Sequence, residues 1–345
     1  MTSNGVTTNG VSSSGVTSST DGSIAGSVIS HWDEVEPVRR ERGHIAASWR
    51  GLTGDRSVTV GVQRIQIDPE RWATPLHMEN SEEEIFYVLS GSGVSLQWDG
   101  ETTEAFAVGK DDCLVHLASE HGHTLLGGPG GLDVLAFGER HYPMGSTLLP
   151  RAGVSWGLGA WARTGDPEDH PWKREAEAGP PDVPEQSPRP ARIVNVEATE
   201  TTVWAKTTVR SSWRDLGRAG GSLRTGLRLV VVEPGALMAP PHCHSAEEEI
   251  FVVLDGDGEL ELWPSPRYGG THETQPLRTG STVARPAGTH RAHALRAGSA
   301  GMTVLAYGTR VPNDISYYPR TGKVNLRGIG VIGRLEQVDY WDGED

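Results

Sequence analysis

The chain contains one unit twice, and that duplication limits what it can fold into. "GVQRIQIDPE" from Gly61 aligns with "GLRLVVVEPG" from Gly226, and His77 and Glu84 align with His242 and Glu249, all at a spacing of 165 residues. Further on, "HTLLGGPGGLDVLAFGER" from His123 aligns with "HALRAGSAGMTVLAYGTR" from His293 at a spacing of 170. The difference falls where "LWPSPRYGGTHETQP" is longer than "QWDGETTEAFA", and a connecting turn is where a repeated fold tolerates an insertion. The match runs on to "LPRAG" at 149–153 and "YPRTG" at 318–322, so each repeat is about 130 residues.

Each repeat reads as strands. "RLVVVEP", "EIFVVLDGDG", "GELELW" and "MTVLAYG" are short runs of β-formers ending at Gly, Pro or Asp, with "DGDG" and "SGSG" expected as hairpin turns. No long helical stripe interrupts them. The expected fold is all-β, two tandem barrels or sandwiches, since 345 residues exceed one ordinary domain. Residues 1–27, rich in Ser, Thr, Gly and Asn, have no apolar pattern and are expected to be a disordered tail. The first domain is expected over 28–164 and the second over 193–345. Between them, 165–192 is dense in proline and charge and is expected to be a linker without helix or strand.

A formal net charge of −14, with no basic run to offset it, argues against nucleic acid and anionic membranes as partners. There is no secretory signal pattern and no 18-residue apolar run, so a cytoplasmic location is expected. Cys113 and Cys243 are too few for a disulfide framework and are expected as free thiols, Cys113 buried and Cys243 turned away from its histidine neighbours.

Chemistry concentrates in "APPHCHSAEEEIFVVLDGDG", residues 239–258. Residues i and i+2 of a strand face one side, so His242 and His244 can reach one ion together. "HCHSAEEEIFVVLDG" resembles the first motif of the cupin superfamily, and "RPAGTHRAHAL" its second, a Pro-x-Gly turn leading to a histidine. The resemblance spans both repeats, about 260 residues, and implies a bicupin of two jelly-roll barrels. It assigns His242, His244, Glu249 and His293 as metal ligands in the second domain, with Gly256 closing a turn. His290 is a rival for the last place, but His293 has a counterpart in His123.

The first repeat departs from the motif. His77, Glu84 and His123 stand, Glu79 replaces the second histidine, and "VHLASEHGH" lacks the Pro-x-Gly turn, with His116 aligned to Pro286. The set His77, Glu79, Glu84 and His123 is harder and more anionic, favouring Mn or Fe. For the second set, Mn, Fe, Ni, Cu and Zn all suit the donors, with Fe and Mn preferred. Glu82, Glu83, Glu247 and Glu248 are expected on a solvated turn. Arg291 and His121 share the inward parity of His293 and His123 and are candidate substrate contacts. Phe251 and Val253, on the parity of Glu249, would keep the site dry. "YYPRTGK" at 317–323 could line a barrel mouth or pack a domain edge.

The leading functional expectation is a dioxygenase-like, metal-dependent oxidoreductase acting on a small organic molecule. The alternatives are a Mn-dependent decarboxylase of the oxalate type and a non-catalytic metal- or ligand-binding bicupin. The expected partner is a small-molecule substrate, with a homo-oligomer as the further expectation.

Overall fold

The computed structural model describes residues 28–141, 145–157, 160–161, 171–264, 270–336 and 338–344. The expected tail, 1–27, lies outside the described residues, as do the first six residues of the expected linker.

Among the described residues there are two large antiparallel sheets and two small ones, and each half contributes nearly the same arrangement. The first large sheet runs, neighbour by neighbour, through Ile193–Asn195, Asp112–His116, Glu84–Trp98, Gly122–Glu139, Val60–Ile67, Ile45–Gly51 and Val38–Arg42. The second runs through Ile29–His31, Ser281–Arg285, Glu249–Pro264, Arg291–Thr309, Thr225–Val232, Arg210–Asp215 and Thr202–Ala205. The long strands roll each sheet into a barrel because their two halves take different partners. Glu249–Val252 pairs with Ser281–Arg285, whereas Asp257–Leu262 pairs with Glu273–Arg278.

This overturns one expectation. "DGDG" and "SGSG" are not hairpin turns: each lies inside a continuous strand, Glu249–Pro264 and Glu84–Trp98, at a register shift against its neighbour. Gly256 sits there at φ +82° and Gly91 at φ +84°. A Cβ on Gly256 would stand 2.3 Å from the Gly301 carbonyl oxygen. The glycines therefore bend a strand through a bulge, which turns the barrel corner without ending the strand.

Alternation along the strands sorts the apolar residues. Phe86 and Val88 face the first barrel's own core, and Phe251 and Val253 face the second's. Ile85 and Tyr87, one residue out of phase, pack with Ile250 and Val252 in a third cluster shared by both halves, where the rings of Phe137 and Tyr307 lie 5.0 Å apart.

Strands also cross the expected division of the chain. Ile29–His31 pairs with Ser281–Arg285 in the second-half sheet, and Ile193–Asn195 pairs with Asp112–His116 in the first-half sheet. The segment between the halves is not free of regular structure. Pro171–Glu177 forms a helix, which proline permits at a helix's first turn. The buried Glu175 carboxylate accepts from Arg151 at 2.5 Å, and Arg189 forks onto Asp112 at 2.6 and 2.7 Å. No helix among the described residues is long and apolar enough to cross a membrane.

Candidate metal centres

Each barrel brings its motif side chains to one point. In the second, the small-sheet strand Cys243–His244 delivers the His-x-His pair, and Glu249 is the first residue of the long strand. His293 arrives through a backbone bridge to His242. Donor atoms of His242, His244 and Glu249 all lie within 4.8 Å of one another. His293 Nε2 is 2.9 Å from Glu249 Oε2, and His244 Nε2 is 3.4 Å from it.

The other ring nitrogens are spoken for. His242 Nδ1 donates to the Pro240 carbonyl at 2.8 Å, and His244 Nδ1 lies 2.7 Å from the Asp314 carboxylate. Both bonds hold a proton on Nδ1 and aim Nε2 at the centre; burial opposes charge on His244, but Glu249 and then Asp314 raise it to about 10, so this ring gives up its Nε2 proton when an ion binds. Yet His244 Nε2, His293 Nε2 and Glu249 Oε2 are buried and have no hydrogen-bond partner. Buried polar atoms are rarely left so. Two imidazole nitrogens and a carboxylate oxygen aimed at one spot fit a divalent transition metal, which would satisfy all of them at once. Burial works against the charged form of Glu249, but the neighbouring His244 and His293 hold its carboxyl well below the usual range. Burial drives His293 down to about 3, a ring kept neutral as a ligand must be.

The first barrel is similar with one ligand altered. Donor atoms of His77, Glu84 and His123 form a group, with His123 Nε2 3.0 Å from Glu84 Oε2, and both of those atoms are buried and unpartnered. His77 Nδ1 donates to the Pro75 carbonyl at 3.0 Å, matching His242 on Pro240. Glu79 stands at the margin, Oε1 3.9 Å from His77 Nε2 and Oε2 accepting from Thr147 at 2.8 Å. Burial, and then the charge of Glu84, pushes its carboxyl up to about 8.

The cavities over the two centres differ in size and sign. The first, about 290 Å³, is lined by Glu82, Glu84 and Glu139, with Arg140 the only arginine or lysine on its wall among the described residues. The second, about 640 Å³, has Arg218, Arg228, Arg310 and Arg327 against Glu247 and Glu249. Tyr318 lines it too, its ring stacked on His242 with centroids 5.9 Å apart. The segment 317–323 thus reaches the barrel mouth.

Several expectations need correction. Arg291 pairs with Glu273 at 3.0 Å and His121 approaches Glu120, and neither lines these two cavities. The glutamates before the ligand are not a solvated turn: Glu83 and Glu248 are each 1 % exposed, and Glu247 accepts from Arg327 and the Val311 N–H. His116 corresponds to Arg285 rather than to Pro286, because these two pair across from Glu84 and Glu249. Sequence reasoning also missed Asp314, which accepts from His244, Ala246 and Glu247. Its acidity beside "VPND" was the one available signal. Cys113 is buried and Cys243 half-buried, both free, as expected. Phe251 lies 5.4 Å from His293, centroid to centroid, on the dry side of the centre.

Residues 228–306 match the family model described as Cupin domain. No curated protein sequence matches the chain. Among solved structures, a deletion mutant of Bacillus subtilis oxalate decarboxylase superposes with a TM-score of 0.56 at 16 % identity, covering 81 % of this chain and 76 % of that one. The formate complex of Lactobacillus farciminis oxalate decarboxylase gives 0.58 at 13 %, covering 85 % and 89 %. A Bacillus subtilis oxalate decarboxylase studied for its Mn(II) centres gives 0.56 at 14 %, covering 84 % and 78 %. Residues 228–306 form a cupin domain by sequence match, and the chain as a whole shares the two-barrel fold of these structures.

Proposed function

We propose that the protein is a metal-dependent decarboxylase of a small carboxylic acid, of the Mn-dependent oxalate type, working in the second barrel. The observation that carries this reading is the set of unpartnered donors of His244, Glu249 and His293 at a cavity with four arginines on its wall. In a chain of net charge −14 such a wall is a local exception, and it favours an anion. The neighbouring structures are decarboxylases, which supports this alternative over the dioxygenase-like one.

A divalent ion held by His242, His244, Glu249 and His293 would supply a positive centre for a carboxylate and for charge developing as carbon dioxide leaves. Arg310, tied to the Ser222 carbonyl at 2.6 Å, and Arg228, 3.3 Å from Asp215, are placed to orient the outer end of such an acid. Decarboxylation breaks a C–C bond, and the electron pair left on the retained carbon takes up one proton. The Tyr318 phenol, protonated at neutral pH, stands on the cavity wall as a candidate donor. Phe251 excludes water from the inner side.

The test is metal analysis of chelator-free protein, followed by release of carbon dioxide from oxalate and other small mono- and dicarboxylates. Mn-loaded protein should release it, Glu249→Gln should abolish release and Glu84→Gln should leave most of it. Stoichiometric uptake of oxygen, with no acid one carbon shorter (formate from oxalate) among the products, would favour the oxidoreductase. Tight acid binding without turnover would favour the binding protein.

A further inference from the structure

The residue opposite the glutamate ligand is the sharpest chemical difference between the barrels. Glu84 faces His116, and Glu249 faces Arg285. Directly opposed residues of an antiparallel pair project to the same face, so both point inward with the ligands. His116 is 3 % exposed and stacks on His123, centroids 4.0 Å apart at 13°. Arg285 is 4 % exposed. Its Nη2 donates to Thr289 at 3.0 Å and to the Arg291 carbonyl at 2.6 Å, but Nε has no partner. Among the described residues no carboxylate forms an ion pair with it.

A buried guanidinium without a counter-charge is costly to hold, and nothing in the packing of the barrel demands one, since the sister barrel fits a histidine at the same register. We propose that Arg285 is a positioning residue that sets the charge of the second metal centre. It lowers that barrel's affinity for its divalent ion and keeps the centre net positive for an anionic substrate. The first centre has His116 in that place, which burial keeps neutral, so it carries no such added charge and holds its ion more tightly. The proposal rests on the metal-site reading above. Its action is through the field at the ligands, where charges interact far more strongly than in water.

The experiment uses the full chain with the first centre disabled by His77→Ala and His123→Ala, titrated with Mn(II) at pH 8 and read by the EPR signal of free Mn(II). At that pH a guanidinium or lysine is charged and an ordinary imidazole is not. Arg285→His, copying the sister barrel, should tighten the Mn(II) dissociation constant by about tenfold or more. Arg285→Lys should stay near the parent, which a merely steric role would not produce. An unchanged or weaker constant in Arg285→His, or equal tightening in Arg285→Lys, overturns the role of Arg285. If Arg285→His does not fold, judged by the circular dichroism of the metal-free protein, Arg285→Gln has the same expectation. A parent that binds no Mn(II) overturns this proposal together with the metal reading, whereas binding with an insensitive constant overturns this one alone.

Discussion

Glu83 and Glu248 each bury a carboxylate in the opposite half of the molecule. Glu83 accepts from the N–H groups of Leu223, Arg224 and Thr225 and from the Thr225 hydroxyl. Glu248 accepts from the N–H groups of Val58 and Thr59, at 2.8 and 2.7 Å, and from the Thr59 hydroxyl. The pair is reciprocal because the repeat is: residues one position before each ligand glutamate point away from their own core and toward the other barrel.

Replacing either carboxylate by an amide places a donor against backbone donors. Glu83→Gln and Glu248→Gln are each expected to destabilise by about 2–3 kcal/mol. Urea denaturation reads this directly. A loss within about 0.5 kcal/mol, the ordinary result at a surface site, would return these residues to a solvated turn.

The bulge glycines are a second test. Gly256→Ala adds a Cβ where the Gly301 carbonyl oxygen lies 2.3 Å away, at a φ of +82°. A loss of about 2 kcal/mol or more is expected. Gly221→Ala, at φ +88° with open space around its Cβ, should cost about 1 kcal/mol, so thermal melts of the two separate the clash from the backbone term.

Asp314 holds His244 by its Nδ1 from outside the motif. Asp314→Asn should lower metal affinity at the second centre about 10–100-fold while leaving the first unchanged. Competition with a chelating dye, with each centre disabled in turn, measures both constants.

Strand exchange predicts the behaviour of a cut chain. A specific protease site inserted after Val183, which is exposed, should be cleavable. The fragments should remain together on a sizing column, because Ile29–His31 is hydrogen-bonded into the second-half sheet and Ile193–Asn195 into the first. Separation under native buffer would count against the shared apolar cluster as a stable interface.

The ligand set was legible because its determinants are local. His242 and His244 are two residues apart, Glu249 follows five later, and His293 was found through its counterpart His123. The correspondence of His116 with Arg285 was hidden because the repeats align through their turns, whereas the register of the strand before the turn decides which residue faces the glutamate. Arg291 and His121 had the right parity, but Arg291 begins its strand and His121 stands just before its own, where a short step along the barrel takes a side chain to the rim.

By itself, the sequence determined the duplication, the β-character of each copy and the identity of the donors, since these follow from spacing, propensity and side-chain chemistry along a few residues. The tertiary structure alone decided that Gly91 and Gly256 bend strands instead of ending them, and that the halves trade strands. It also decided that Glu83 and Glu248 lock across the interface, and that Asp314 and Arg285 stand beside the centre. Each of these depends on which distant backbone lies alongside, and a period-two pattern says only which way a residue faces, not what it faces.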